Sequence, residues 1–560
     1  MISFMTTTLT NSALSSLKKT EPTIGQTMKS SFNPVFAWSA IALAVMLAGC
    51  TTPRALTLNE LTEAGKQRMA LLEERKTGLA DGVSLAEAMS WAMDNNLALR
   101  AEALEKTVAH NNRKLATMGM LPNLTAQAGY SWRSKQSASS SENVATGVQS
   151  LVPSTSSERQ STTASLEASW NVLDFGLAWL RARSEGDRAL IAEESQRRVA
   201  HLLALDVVTA WDRAVAFQHI EPALKQSRVD LAAALRQLEA VAASRLRDPV
   251  DVLEQRNALL LILKRMDGLV LQMDQAQDEL ARLLGLPAGA SFALDASGTA
   301  NFGALPIADI QALQYVALLN RPEIRQSLYA KRAAKRNGYK RIIEQFPSLL
   351  FKYGTNYDSN KYLVHNTWDD ASASLSIGLM RLASLPLQRR QVAIEREQVE
   401  LQADLQATAV LSQVAIASKA TKSSARVLCL SNAIADTLSE RMGLLDLRAQ
   451  AAALDQLSLV RARVDNMLVT IERDMAAIDD RRATLMMAQS LGIGALPEGI
   501  TATAGDERVN AISGWLQGGM QATLAEQLVL VEKEFGISAT SQKTDDDKND
   551  TTAGGQSLCL

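Results

Sequence analysis

The sequence predicts a mainly α protein with a small membrane β-barrel portion. Its protomer is a duplication in which two strands lead into a long helical hairpin. Three observations carry this expectation. Chain breakers are scarce, 29 Gly and 13 Pro in 560 residues, which favours long helices. Four segments alternate apolar and polar residues with a period of two, a strand signal. The same short motifs also recur in order at nearly constant separation.

The repeat is read first. Asn96-Leu97-Ala98-Leu99-Arg100 matches Arg321-Pro322-Glu323-Ile324-Arg325, and Leu121-Pro122-Asn123-Leu124 matches Phe346-Pro347-Ser348-Leu349, both at an offset of 225. Ser165-Leu166 matches Ser374-Leu375 at 209, and Leu284-Gly285 matches Leu491-Gly492 at 207. One step of about 16 residues between the two offsets describes a duplication with one shortened loop. Residues 84–290 form the first predicted repeat and 312–497 the second. A linker at 291–311 joins them, and 498–560 is a C-terminal extension.

The strands are expected at about 123–133, 164–173, 349–358 and 371–380. In the first, Leu124, Ala126, Ala128, Tyr130 and Trp132 alternate with polar or small neighbours. The last runs Ala371, Ala373, Leu375, Ile377, Leu379. Such lengths suit tilted membrane strands, but four are too few to close a membrane barrel, so several chains would share one. The connections 134–163 and 358–370, the latter holding Trp368, Asp369 and Asp370, read as polar loops.

The remainder reads as helix. Leu387 to Ser490 holds no Pro and one Gly, Gly443. Pro222 is expected to kink or break the first long helix near Glu221. Leu253, Leu260 and Leu263, and Leu457, Val460, Val464 and Leu468, follow coiled-coil steps and read as inter-helix core. Hairpin tips fall at Asp248 and, 207 residues on, at Asp455. Gly443 is a rival tip that would leave unequal helices.

The N-terminus reads as an address. Lys29 precedes an apolar run from Val35 to Ala48, too short to span a bilayer and of signal-peptide length. The run ends Leu47-Ala48-Gly49-Cys50, which resembles a bacterial lipoprotein signal. That resemblance implies cleavage before Cys50, a lipid on its sulfur and, with Thr51 following, the outer membrane. Residues 1–49 are then a signal peptide, its true start at Met28, and 50–83 a lipidated segment.

Composition excludes several classes. Lys and Arg total 58 against 60 Asp and Glu, so nothing favours nucleic acid. Cys50, Cys429 and Cys559 are far apart, and His110, His201, His219 and His365 are scattered, so no metal site is expected. Neither a phosphate loop nor a nucleophile–base pattern is present, so an enzyme is not expected, nor any cofactor beyond the covalent lipid.

Together, the lipoprotein signal, the duplication, two strands per repeat and the long helices resemble the TolC family of outer-membrane channel proteins, over residues 56–497. Ser84-Leu85-Ala86-Glu87-Ala88 followed by Asn95-Asn96 is similar to that family's opening helix. Met120-Leu121-Pro122-Asn123-Leu124 resembles its first strand entry. Trp170-Asn171-Val172-Leu173-Asp174-Phe175-Gly176 resembles its strand-to-helix exit, and Leu283-Leu284-Gly285-Leu286-Pro287 its repeat end. The second repeat departs, with Leu382-Ala383-Ser384-Leu385-Pro386 in place of the Asp-Phe-Gly exit.

The resemblance implies a homotrimer whose 12-stranded β-barrel continues as an α-helical barrel. It implies a passive export duct, for efflux or type I secretion, meeting a periplasmic adaptor and an inner-membrane transporter. Arg245, Arg247, Asp248, Asp251 and Asp455, at the predicted tips, are the candidates for adaptor contact or pore gating. The competing reading is a structural periplasmic coiled-coil lipoprotein without a pore, which has no need of alternating strands.

Overall fold

The computed structural model describes residues 55–76, 82–150, 152–244, 248–287, 289–290, 292–295, 305–306, 308–450 and 456–537. Met1–Arg68 and Met69–Leu560 are separate compact units. In the first, the Thr57 hydroxyl and backbone N–H donate to Glu60, capping the start of α1 (Leu58–Lys76).

In the second unit, α2 (Leu85–Asn95) and α3 (Leu97–Met118) lead into β1 (Asn123–Trp132) and β2 (Gln160–Asn171). The hairpin α4 (Val172–Ser244) and α5 (Pro249–Leu283) follows. The second half repeats this order: α6 (Ile310–Asn320), α7 (Pro322–Ile343), β3 (Ser348–Asp358), β4 (Thr367–Ser376), α8 (Leu379–Gln450) and α9 (Gln456–Ser490). Element starts in the halves differ by 225 up to β3 and by 207 from β4 onward.

The strands form one antiparallel sheet in the order β1-β2-β3-β4. Its register refines the sequence alignment. Asn123 faces Ser169 as Ser348 faces Ser376, so the strand offset is 207, not the 209 of the Ser-Leu match. A two-residue slip keeps every side chain on its own face, because strand side chains alternate with period two. This is why the motif match could mislead without upsetting the pattern.

Two other expectations are corrected. β4 begins at Thr367, four residues before the expected start, so Trp368, Asp369 and Asp370 lie in the strand rather than a loop. Cross-strand bonds hold them there: the Thr355 hydroxyl donates to Asp369, and the Asn356 amide to Asp370. The second long helix likewise starts at Leu379, ahead of Pro386.

Pro222 does not break α4, which is one helix of 73 residues. An interior proline removes a backbone bond at a cost of about 3 kcal/mol. Here Phe217 and Ile220 pack on one side of it, and Leu224, Leu231 and Leu238 are buried on the other. Burial of three such leucines, roughly 1.5–3 kcal/mol each, outweighs that cost.

The hairpin core also shifts register. Val252, Leu259, Ile262 and Met266 are buried with Val464, Leu468 and Ile471. Leu253 and Leu260, expected inside, lie one residue on and are exposed. Leu263 and Val460 are partly buried against this core, while the Leu457 side chain lies outside the described residues. A second core forms where the two halves start. Ala88, Met89, Trp211, Leu284, Val316 and Leu491 meet there. The C-terminal extension adds α10 (Gly505–Gly514) and α11 (Met520–Phe535), burying Ile512, Leu516, Met520, Leu524 and Val531 in that core. Arg508 ties it to α2, donating to the Ser90 carbonyl at 3.3 Å and the Asp94 carboxylate at 2.7 Å.

Candidate functional site: a two-faced sheet and two hairpin ends

Strand register sorts the sheet into two faces. Leu124, Ala126, Ala128, Tyr130 and Trp132 share one face with Ala164, Leu166, Ala168 and Trp170. Across β2 the same face continues as Tyr357, Thr355, Tyr353 and Phe351, and across β3 as Leu375, Ala373, Ala371 and Asp369, the one charged group there, which accepts from the Thr355 hydroxyl. Its aromatic residues are Tyr130, Trp132 and Tyr357 toward the loops and Trp170, Phe351 and Tyr353 toward the helices. Aromatic girdles flanking an apolar band are the signature of a strand set that faces lipid.

The opposite face is polar. Lys352 donates to Glu167 at 3.0 Å, and Asn356 to Asp370. Ser131 and Ser161 are bonded at 2.8 Å, as are Ser348 and Ser376. Trp368, opposite Asn356, and Leu350, opposite Ser374, are exceptions on this face. Among the described residues the sheet is open: β1 pairs only with β2 and β4 only with β3. Two edges therefore carry backbone groups with no partner strand, a state natural sheets avoid.

The helices beside those edges are equally unfinished. On α3, Leu97, Leu104, Val108, Leu115 and Met118 are exposed, stepping by seven, four, seven and three. On α8, Ile394, Leu401, Leu405, Ile416, Val427, Leu430 and Ile434 are exposed. Such spacing is a seam awaiting another helix. The sequence reading did not single out these stripes, because periodicity alone cannot say whether a stripe is covered from inside the chain or from outside.

The hairpin ends lie between Ser244 and Pro249 and between Gln450 and Gln456. Asp248 is exposed and N-caps α5, accepting from the Val250 N–H at 2.9 Å, with Pro249 at the first helical position. Asp251 is exposed in the first turn of α5, where a carboxylate is favoured by the helix dipole. Arg245, Arg247 and Asp455 lie outside the described residues, as does Cys50. Gly443 lies within α8, which continues to Gln450. Just above the ends, Arg256 pairs with Glu239 at 3.4 Å and Arg463 with Asp446 at 3.0 Å. These pairs are related by the repeat offset of 207 and clamp each hairpin at the same level, although exposed pairs add little stability.

Among the described residues no group of three or more His, Cys, Asp or Glu could hold a metal ion, and no helix is long and apolar enough to cross a membrane. The latter says nothing of strands.

No sequence-family model and no curated protein matches the chain significantly. Solved structures do. The CmeC outer-membrane channel of Campylobacter jejuni aligns at 13% identity and a TM-score of 0.58, covering 77% of this chain and 89% of that one. The open state of the MtrE outer-membrane channel of Neisseria gonorrhoeae aligns at 17% and 0.55, covering 73% and 89%. The outer-membrane channel OprN aligns at 17% and 0.57, covering 73% and 90%. At such identities it is the fold that is shared: the chain has the TolC-type protomer fold.

Proposed function

We propose that three copies of this chain form an outer-membrane exit duct. One observation carries the reading: the sheet that bears a lipid-type face is open at both edges, and the helices beside the same edges, α3 and α8, carry uncovered apolar seams. Pairing β4 of one copy with β1 of the next would satisfy the edge backbone groups. It would also lay α8 of one copy along α3 of the next. Three copies of four strands give twelve, enough for a closed barrel with the apolar face outward and the Glu167–Lys352 face lining a polar lumen. The fold shared with outer-membrane channels supports the same assignment.

In this reading the duct is passive and performs no chemistry. An inner-membrane transporter, reached through a periplasmic adaptor, supplies the energy for efflux or secretion. The hairpin ends, with Arg245, Arg247, Asp248, Asp251 and Asp455, meet the adaptor or gate the pore. A ring of three Asp455 carboxylates at a constriction would favour cations. Cys50 carries the lipid that anchors the chain in the outer membrane.

The test is reconstitution of the purified full chain. A heat-modifiable trimer that conducts ions in planar bilayers is expected. A stable trimer without conductance would instead mark a structural coiled-coil lipoprotein.

A further inference from the structure

The helical turns next to the sheet are strongly basic. Segments 108–118, 172–188, 331–343 and 379–396 hold fifteen Lys and Arg against four Asp and Glu, in a chain that overall has slightly more acids than bases. Most of those acids are already engaged. Glu185 pairs with Arg188 at 2.7 Å, Asp187 with Arg332 and Arg336, and Glu395 with Arg341. Lys331 and Lys340 pair with Glu400 and Glu344 beyond these segments, and several of the other cations have no ion-pair partner among the described residues.

Their orientation can be followed out of the membrane band. Trp170 ends the apolar face of β2, and the Phe175 ring meets it edge-on at 5.9 Å. Trp179 is one turn further along the same side of α4. Next comes Arg183, its guanidinium lying 4.3 Å over the Trp179 ring. Helical side chains lean toward the N-terminus, so this guanidinium reaches back toward the sheet from a Cα about 16 Å along the helix. The next turn holds Gly186, against which Arg113 of α3 lies: a Cβ on Gly186 would be 3.9 Å from its Nε. The second repeat places Arg390 twelfth in α8, where Arg183 is twelfth in α4. Arg113, Arg183 and Arg390 are exposed, and none has an ion-pair partner among the described residues.

We propose that Arg183, Arg390 and Arg113 form a cationic collar on the outward side of the helices, just beyond the aromatic belt, that binds the phosphate headgroups of anionic phospholipid. The inference rests on the reading of the apolar sheet face as lipid-facing. Charge complementarity and continuity with that band select a lipid surface as the occupant. Arginine suits it, because the planar fork takes two phosphate oxygens at once while the stem and the stacked tryptophan stay in the apolar layer. Three copies would place nine such cations around the duct, each worth about 5-fold in affinity for an anionic leaflet.

The test uses the full-length trimer in neutral detergent, examined by native mass spectrometry with added phosphatidylglycerol or phosphatidylcholine. The comparison is with an Arg113→Gln/Arg183→Gln/Arg390→Gln variant whose helicity and trimer migration match the parent. Phosphatidylglycerol should be retained by the parent at least 5-fold more than phosphatidylcholine, and the variant should lose that preference. Equal retention by parent and variant would overturn the collar while leaving the channel reading intact. Displacement of the lipid by inorganic phosphate at matched concentration would overturn the lipid assignment in favour of a free-anion site. A parent that neither forms a trimer nor conducts in planar bilayers would remove the membrane reading itself, and the collar with it.

Discussion

Gly492 turns back onto Asn320 so closely that a Cβ would sit 2.5 Å from the Asn320 carbonyl carbon. Its φ is +81°, open to glycine and costly for other residues. Gly285 makes the same approach to Asn95 in the first repeat, with φ +72° and a Cβ 2.7 Å from the Asn95 carbonyl oxygen. The end of each hairpin is thus locked to the start of its own repeat. The Asn96 amide adds a bond to the Leu283 carbonyl, and Arg321 one to the Gln489 carbonyl, both 3.0 Å.

Gly492→Ala and Gly285→Ala should each destabilise the protein by roughly 3 kcal/mol or more, since backbone atoms rather than a movable side chain block the new methyl. Gly499→Ala is the control. Its φ is +77° with nothing within 4 Å, so only about 1 kcal/mol of backbone strain is expected. Chemical denaturation of the three variants checks the difference. Equal losses would mean that the close approach contributes nothing.

Asp187 is only 2% exposed and receives both Arg332 and Arg336 from α7. Removing one member of a buried charge cluster costs about 3–5 kcal/mol. Because the two arginines are partly exposed and can rehydrate, Asp187→Ala should fall at the lower end. A thermal midpoint unchanged from the parent would show that this staple between α4 and α7 is dispensable.

Asp212 is buried on α4, with Arg481 at 3.3 Å. Burial pushes its carboxyl up to about 6, and the arginine opposes this only in part. Between about pH 4 and 6 the native state keeps a proton that the unfolded chain has lost. Stability from this group therefore falls as pH rises through that window, by about 3 kcal/mol in all. His201 runs the other way. Burial, with Arg197 nearby, lowers it to about 4, so its contribution rises from about pH 4 to 6.5. The two slopes oppose each other in the parent. Asp212→Asn should unmask the histidine, giving a thermal midpoint that climbs with pH from 4 to 6.5. A profile parallel to the parent's would refute the assignment.

Leu401 and Leu405 on α8 are 58% and 70% exposed within one chain. If they face α3 of a second copy, Leu401→Glu/Leu405→Glu should abolish the trimer while leaving helicity intact, because both side chains are mostly exposed within the chain. Size-exclusion chromatography with circular dichroism reads both. A normal trimer would place the subunit contact elsewhere.

Much of the fold could be read from residue pattern alone. Period-two alternation marked all four strands, and scarce Pro and Gly marked the long helices. Paired motifs marked a duplication whose offsets of 225 and 207 match the element starts. These are local or periodic properties, written in consecutive residues. Four things were decided only by tertiary packing. The 209 match slipped by two residues because an even slip leaves face parity unchanged. β4 starts early because Asp369 and Asp370 find Thr355 and Asn356 across the ladder. Pro222 stays helical because Leu224, Leu231 and Leu238 of its own helix bury against residues far along the chain such as Leu259 and Leu468. The hairpin core chose Val252 and Leu259 over Leu253 and Leu260, since neighbouring helix faces of equal hydrophobicity are separated only by which partner arrives. The hairpin-end candidates were legible as a chain break with charges. Of these, only Asp248 and Asp251 have described geometry, Asp248 as a helix cap and Asp251 in the first turn. The outward arginines carry no motif at all. Only the three-dimensional path from Trp170 through Phe175 and Trp179 shows that Arg183 reaches back toward the apolar face of the sheet.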